Sequence, residues 1–258
     1  PYFSALRGEI KRIFRTVGDI ENQYFYPISG EQDVHGACGV LVITADKGLA
    51  GSYNQNAIRE AQRLMEDHEG SKLFVVGEYG RQYFTAHGVP IERSFLYTAQ
   101  NPTIQRSREI CFQLLNRYQR GELVKIYIVY TDFGGLEASA RTVRLLPFHR
   151  AQFSSASREK TVKIPFEFSP DVETVLDNII PSYVTGFIYS ALVDSFCSEQ
   201  NARMRAMDSA NQNAQELLDE LSARYNHLRQ GAITQEITEI SAGALGQRRQ
   251  RQEGGALS

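Results

Sequence analysis

The sequence predicts an α/β protein: a mostly parallel, doubly wound sheet with an antiparallel edge strand, followed by one long helix patterned to pair with another helix. Between residues 37 and 131, short β-branched apolar runs alternate with helical patterns, which makes a parallel sheet covered by helices the default. Residues 141–148 (RTVRLLPF) follow the strand pattern 123–131 with no helix between, a spacing that suits a hairpin and hence an antiparallel edge. Further on, small and apolar residues fall at Met207, Ala210, Ala214, Leu217, Leu221, Tyr225, Leu228 and Ala232, in steps of 3, 4, 3, 4, 4, 3 and 4. That is a narrow heptad seam, not the broad stripe of a helix lying on a core. Its extra four-residue step reads as a stutter.

In chain order, Phe3, Leu6, Ile10, Ile13, Phe14 and Val17 give residues 2–17 a helical period ending near Gly18. Residues 19–36 are polar, contain Pro27 and Gly30, and read as a linker. Residues 37–44 (ACGVLVIT) read as a buried strand, followed by the loop ADKGLAGSYN and a helix over 55–66 carrying Ile58, Ala61, Leu64 and Met65. A strand at 72–76, a short helix at 79–86 and a weaker strand at 91–97 come next. Pro102 opens a helix that stops before Gly121, and 123–131 (LVKIYIVYT) is the fourth strand. Pro147 is tolerable near the end of an edge strand.

Residues 152–167 are polar, with a strand candidate at 161–168. Asp171 can cap a short helix over 172–180, and Pro181 suits the start of the long one. From there to the C-terminus no further proline occurs, and Gly186 and Gly231 are the only glycines before Gly243. A helix of about 60 residues reaches roughly 90 Å, so it is expected to project from its domain and find another helix for its seam. The tail 246–258 (GQRRQRQEGGALS) is basic, then glycine-rich, and is expected to be disordered.

The net charge of −2 over 258 residues gives no global field for nucleic acid or an anionic membrane. Cys38, Cys111 and Cys197 are odd in number and far apart, so they read as buried thiols in a reducing compartment. The five histidines show no metal-ligand spacing with them. No signal peptide is recognisable, and no apolar run approaches the roughly 20 residues of a membrane span. The chain opens on Pro1 where a complete chain opens on Met, so an upstream piece is expected to be missing.

The loop Asp46, Lys47, Gly48, Leu49, Ala50, Gly51 follows the first strand, where α/β sheets place their ligands, and a lysine beside exposed amides could hold phosphate. Its glycines fit neither G-x-G-x-x-G nor the phosphate-loop spacing, so a tight turn with Asp46 as a cap is the better reading. Asp132 beside Phe133, Gly134 and Gly135 likewise reads as a turn. Residues 225–243 (YNHLRQGAITQEITEISAG) place Arg229 and Gln230 next to the seam, which favours an interaction surface. Two other readings stand beside it. One is an α/β enzyme or nucleotide-binding domain with a helical dimerisation arm, which requires a ligand pocket at the strand C-terminal ends. The other is a structural coiled-coil adaptor, which has no need of the Arg229–Gln230 face.

The segment SEQNARMRAMDSANQNAQELLDELSARYNHLRQGAITQEITEISAG resembles the C-terminal helix of the gamma subunit of F-type ATP synthases. ADKGLAGSYN resembles that family's Ser/Thr-Asp-Arg-Gly-Leu-Cys-Gly-Gly loop, with Lys47 for Arg and Ala50 for Cys, and PDVETVLDNIIPSYVTGFIYSALVDSF fits the entry into the helix. The resemblance runs from about Pro1 to Leu245. It implies a Rossmann-like domain over 37–168 carried on an antiparallel coiled coil. Residues 1–18 would be the remnant of its N-terminal helix and 171–245 its C-terminal helix with the entry helix. Most of the N-terminal helix has no counterpart here, so a truncated or processed version is expected.

The resemblance further implies a non-catalytic central rotor shaft, with no cofactor of its own. Its partners would be the alpha and beta subunits, the epsilon subunit and the membrane c ring, on the cytoplasmic face of a bacterial membrane. It places Arg229 and Gln230 at the polar catch facing a beta-subunit loop, with Thr234 and Glu236 one turn beyond. Asp46, Lys47, Gly48, Leu49 and Ala50 would lie near the base of a beta subunit. Phe166, Glu167, Phe168 and Ser169 align with the foot on the c ring, Ser169 standing where the family has a glutamate.

Overall fold

The computed structural model describes residues 8, 13, 22–26, 36–96, 98–133, 139–149 and 171–254. Its elements are β1 (Cys38–Ile43), α1 (Tyr53–Glu66), β2 (Lys72–Val76), α2 (Glu78–Ala86), β3 (Ile91–Phe95), α3 (Ile104–Gln119), β4 (Lys125–Thr131), β5 (Ala140–Leu146) and α4 (Val172–Gly254). The sheet has the order β3-β2-β1-β4-β5. β1 pairs parallel with β2 and β4, β2 pairs parallel with β3, and β5 pairs antiparallel with β4. The mostly parallel sheet and its antiparallel edge are therefore as expected. The strand candidate at 161–168 lies outside the described residues.

Side chains alternate across β1 and sort the core into two faces. Cys38, Val40 and Val42 meet Leu73, Val75 and Val129 under Ala57, Ile58, Ala61 and Leu64 of α1 and Phe84 of α2. Leu41 and Ile43 join Phe74, Val76, Ile126 and Ile128 under α3 and the first turns of α4. Both faces are apolar because the crossover helices cover both.

α3 starts at Ile104, so Pro102 lies just outside it and not in its first turn. Pro102 precedes Thr103, whose hydroxyl caps the helix by accepting the Arg106 N–H at 3.3 Å. The Cys38 and Cys111 thiols are free and buried, and burial pushes their pKa up to about 12 and about 11. Cys197 is free and half-buried.

Four features depart from the sequence reading. Tyr24, Phe25 and Tyr26 lie in the segment read as a polar linker, yet all are buried. Phe25 bridges to Phe148, and the Tyr26 N–H donates to the Phe148 carbonyl at 3.1 Å. Three large aromatics outweigh polar neighbours once a sheet edge offers backbone partners.

The entry helix and the long helix are one element. Asp171 caps it, accepting the Thr174 N–H at 2.7 Å, but Pro181 sits inside α4 and does not open a second helix. An interior proline costs about 3 kcal/mol. Burial of Leu176, Ile180, Tyr183, Val184 and Ile188 on both sides of it offsets that cost at about 1.5–3 kcal/mol each. The Pro181 carbonyl is used, accepting the Cys111 thiol at 3.5 Å. The same apolar stretch supplies an 18-residue window long and apolar enough to cross a membrane, half of it buried, where the sequence reading saw no such run.

Lastly, α4 continues to Gly254 through the tail expected to be disordered. Glutamine and arginine are good helix formers, and a helix already nucleated extends cheaply through them.

The chain divides into two compact units, 1–206 and 207–258. In the first, Gly8 and Ile13 are helical and Ile13 joins the core; the rest of the expected N-terminal helix remnant lies outside the described residues. The second is helical throughout its described residues, and every residue over 207–246 is exposed. Gly231 within it has nothing within 4 Å of an added Cβ. Gly231→Ala is therefore expected to strengthen the helix locally by about 0.5–1 kcal/mol. Amide exchange around residue 231 should slow about two- to fivefold. Unchanged exchange would mean that the helix frays there regardless of propensity.

Candidate partner-binding surfaces

The loop after β1 is shaped by what its backbone must satisfy. Gly77 is the N-cap of α2 and brings no capping side chain. The end of β1 supplies the caps instead. Asp46 Oδ1 accepts the Glu78 N–H at 3.0 Å, the Ala45 carbonyl accepts the Tyr79 N–H at 3.1 Å, and Thr44 Oγ1 accepts the Gly80 N–H at 3.0 Å. The Asn54 side chain accepts the Ala45 N–H at 2.8 Å and donates to the Lys47 carbonyl at 3.5 Å. Ala50 packs with Ala45, Tyr53 and Ala202.

This sorts the five candidate loop residues. The Asp46 carboxylate braces α2, Ala50 is buried and Gly48 is half-buried. Lys47 and Leu49 are exposed, Leu49 at 75 %. Leu49 also adopts a left-handed φ of 63°, which costs a non-glycine residue roughly 1–2 kcal/mol.

The crevice outside the carboxyl ends of β1 and β4, where the strand order reverses, is the usual ligand site of such sheets. Here α4 lies across it. Ser195 Oγ accepts the Thr131 N–H at 3.2 Å, and Ser198 Oγ donates to the Thr131 carbonyl at 3.5 Å. Arg203 Nη2 donates to the Gly48 carbonyl at 3.3 Å and pairs with Glu199 at 2.7 Å. Tyr53, fully buried against this group, has its pKa raised by desolvation. Burial also raises the pKa of Glu199, with Arg203 opposing the shift.

Beside the helix an open cleft of about 770 Å³ remains, lined by Ser52, Asn56, Arg63, Asp132, Phe133 and Asn201 among others. Its Arg63 and Glu60 pair at 2.9 Å, and its Asp132 pairs with Arg141 at 2.9 Å. Thr142 also donates to Glu60 at 2.7 Å.

In the second unit, Arg229, Gln230, Thr234 and Glu236 are all exposed. The Thr234 hydroxyl donates to the Gln230 carbonyl at 2.8 Å, and Thr238 repeats the pattern to Thr234 at 2.7 Å. Among the described residues the Arg229 and Glu236 side chains make no ion pair, so their charges remain available. Met207, Leu217, Leu221, Tyr225 and Leu228 of the seam are exposed, and Ile233, Ile237 and Ile240 continue the apolar surface. Phe166, Glu167, Phe168 and Ser169 lie outside the described residues.

The family model for ATP synthase matches residues 1–245. The chain is 40 % identical over 254 residues to the ATP synthase gamma chain of Caldanaerobacter subterraneus subsp. tengcongensis, covering 95 % of this chain and 85 % of the relative. The chain belongs to the ATP synthase gamma-chain family. Another member, the sodium ion specific gamma chain of Acetobacterium woodii, is 32 % identical over 259 residues, covering 95 % of this chain and 84 % of that one. Among solved structures, the fold matches a chain of the Euglena gracilis mitochondrial ATP synthase (OSCP/F1/c-ring) with a TM-score of 0.62 at 17 % identity, covering 95 % of this chain and 89 % of that one. A chain of the Tetrahymena thermophila mitochondrial ATP synthase central stalk and c ring matches with a TM-score of 0.55 at 22 % identity, covering 82 % and 100 %.

Four residues of this gamma-chain fold escaped sequence reasoning: Ser195, Ser198, Glu199 and Arg203. A signal was present. The buried positions Leu176, Ile180, Val184, Ile188, Ala191 and Leu192 continue at helical spacing through Ser195, Ser198 and Glu199, which are also buried. Polar residues at core positions of a helix announce partners, because burying them without hydrogen bonds is costly.

No measurable ATP binding is expected at Asp46–Gly51 in the isolated chain, because its glycines lack phosphate-loop spacing and Arg203 of α4 already holds the Gly48 carbonyl. Calorimetric titration with ATP checks it. Low-micromolar affinity abolished by Lys47→Ala would restore the nucleotide-binding alternative.

Proposed function

We propose that this gamma chain is a non-catalytic central rotor shaft. It couples rotation of a membrane c ring to conformational changes at catalytic sites in a ring of alpha and beta subunits, for ATP synthesis or hydrolysis. The observation that carries the reading is the exposed apolar seam of the second unit, within the stretch that the family model matches. Eight seam positions at heptad spacing, left in water, need a second helix, and an antiparallel coiled coil supplies one.

A shaft drives a site only through contacts that differ between that site's states. Arg229 and Gln230, with Thr234 and Glu236 beyond them, are the proposed contacts with a beta-subunit loop. Lys47 and Leu49 are the proposed contacts near the base of a beta subunit, with Asp46, Gly48 and Ala50 shaping the loop. Phe166, Glu167, Phe168 and Ser169 are the proposed foot on the c ring, beside an epsilon subunit. The assembly would sit peripherally on the cytoplasmic face of a bacterial membrane.

Mixing the purified chain with alpha and beta subunits tests the assignment. A co-eluting complex is expected, with amide protection appearing along 207–232. Strong protection there in the chain alone would sink the coiled-coil assignment, and failure to co-assemble would sink the shaft.

A further inference from the structure

We infer that Arg203, held by Glu199, is a positioning residue that locks the loop at 46–51 to the long helix, so that Leu49 is presented as an apolar knob to a partner. The inference rests on the reading above that this loop meets the ring of alpha and beta subunits.

Ala50 packs on Ala202 of α4, but the loop's other hydrogen bonds hold it to the sheet and its crossover helices. Asp46 caps α2, and Asn54 of α1 bridges Ala45 and Lys47. Arg203 is different, because it belongs to α4 and reaches the Gly48 carbonyl, next to Leu49. Arginine suits the task because its guanidinium is a rigid fork with several donors. One nitrogen, Nη2, lies within bonding distance of both the Gly48 carbonyl and the Glu199 carboxylate.

Glu199 fixes that fork. Its side chain is only 4 % exposed and that of Arg203 is 24 % exposed, so a carboxylate this deep requires its cation to stay in place. The pair is at i, i+4 on one helix, with Glu199 N-terminal to Arg203, the favourable order. At the other end of the chain of contacts, Leu49 is exposed in a left-handed backbone conformation. Such a conformation persists only where the surroundings over-determine it. A large apolar side chain held there is placed for an apolar socket. Movement of α4 is thereby passed through Arg203 and Gly48 to Leu49.

The test is a double-mutant cycle on ATP hydrolysis by the full chain assembled with alpha and beta subunits. Leu49→Ala and Arg203→Ala are each expected to slow turnover roughly three- to thirtyfold. The double variant should be no slower than the slower single, because both act through one contact. Arg203→Lys, which keeps the charge and a donor, should recover most of the rate. Arg203→Ala combined with Glu199→Gln removes the unpaired carboxylate, keeping the cycle readable if Arg203→Ala alone unfolds. Additive losses, or a normal rate without Arg203 while Leu49→Ala is slow, would overturn the positioning role and leave the loop's contact standing. A normal rate for Leu49→Ala would overturn both.

Discussion

Replacing Arg229 and Gln230 together with alanine is expected to slow ATP hydrolysis by the assembled complex about ten- to hundredfold while leaving the subunit's fold untouched. Both residues are exposed, and alanine is the best helix former, so helix content and the unfolding midpoint should stay as they are. Their proposed value lies in a partner. Arg229 offers a fork suited to a carboxylate, and Gln230 adds a donor and an acceptor beside it. A hydrogen bond to a charged group contributes about 1.5–3 kcal/mol when made. If it forms in some rotational states only, that free energy enters the cycle's barriers and not the subunit's stability. Turnover of the reconstituted complex and thermal unfolding of the subunit, measured side by side, separate the two. Normal turnover with assembly intact would remove these residues from the mechanism, and a large drop in midpoint would make them structural.

Gly77→Ala is expected to cause the largest loss of stability from a single added methyl group. Gly77 has a φ of 95°, and a Cβ there would meet the Thr44 carbonyl at 2.3 Å and the Ala45 carbonyl at 2.7 Å. Those atoms cannot step aside. The Ala45 carbonyl accepts the Tyr79 N–H, and Thr44 is tied by its N–H and its hydroxyl to the Val76 carbonyl at 2.9 and 2.8 Å. Backbone strain of about 1–3 kcal/mol and overpacking of about 2 kcal/mol together come to roughly 3–5 kcal/mol. For a chain of this length that lowers the midpoint by about 6–20 °C. Gly88 and Gly121 provide the control, since both have positive φ with nothing within 4 Å of an added Cβ. Alanine at either should cost only the roughly 1–2 kcal/mol of the left-handed conformation. Equal losses at all three sites would show that strain alone, without the Thr44 contact, decides the outcome.

The sheet was legible because its signal is periodic. Val40, Leu41, Val42 and Ile43 form an unbroken apolar run that only a strand covered on both faces uses, and the 141–148 run follows too closely for a crossover. The aromatic trio at 24–26 was hidden because its burial depends on Phe148, more than a hundred residues away. Pro181 misled because the rule about proline is local, whereas the packing that overrides it comes from α3 and the sheet. The candidate surfaces were legible as motifs, but not in their division of labour. Nothing local to Asp46 says that its carboxylate serves the helix after the next strand, or that Leu49 alone of its apolar neighbours faces water.

The bare seam between Met207 and Ala232 also bears on where the isolated chain is open to a protease. Leu217, Leu221, Tyr225 and Leu228 lie open on a single helix, with no core beneath them among the described residues to limit local opening. Proteases act on segments in proportion to how often they open, so limited proteolysis of the isolated chain is expected to cut first between Met207 and Ala232.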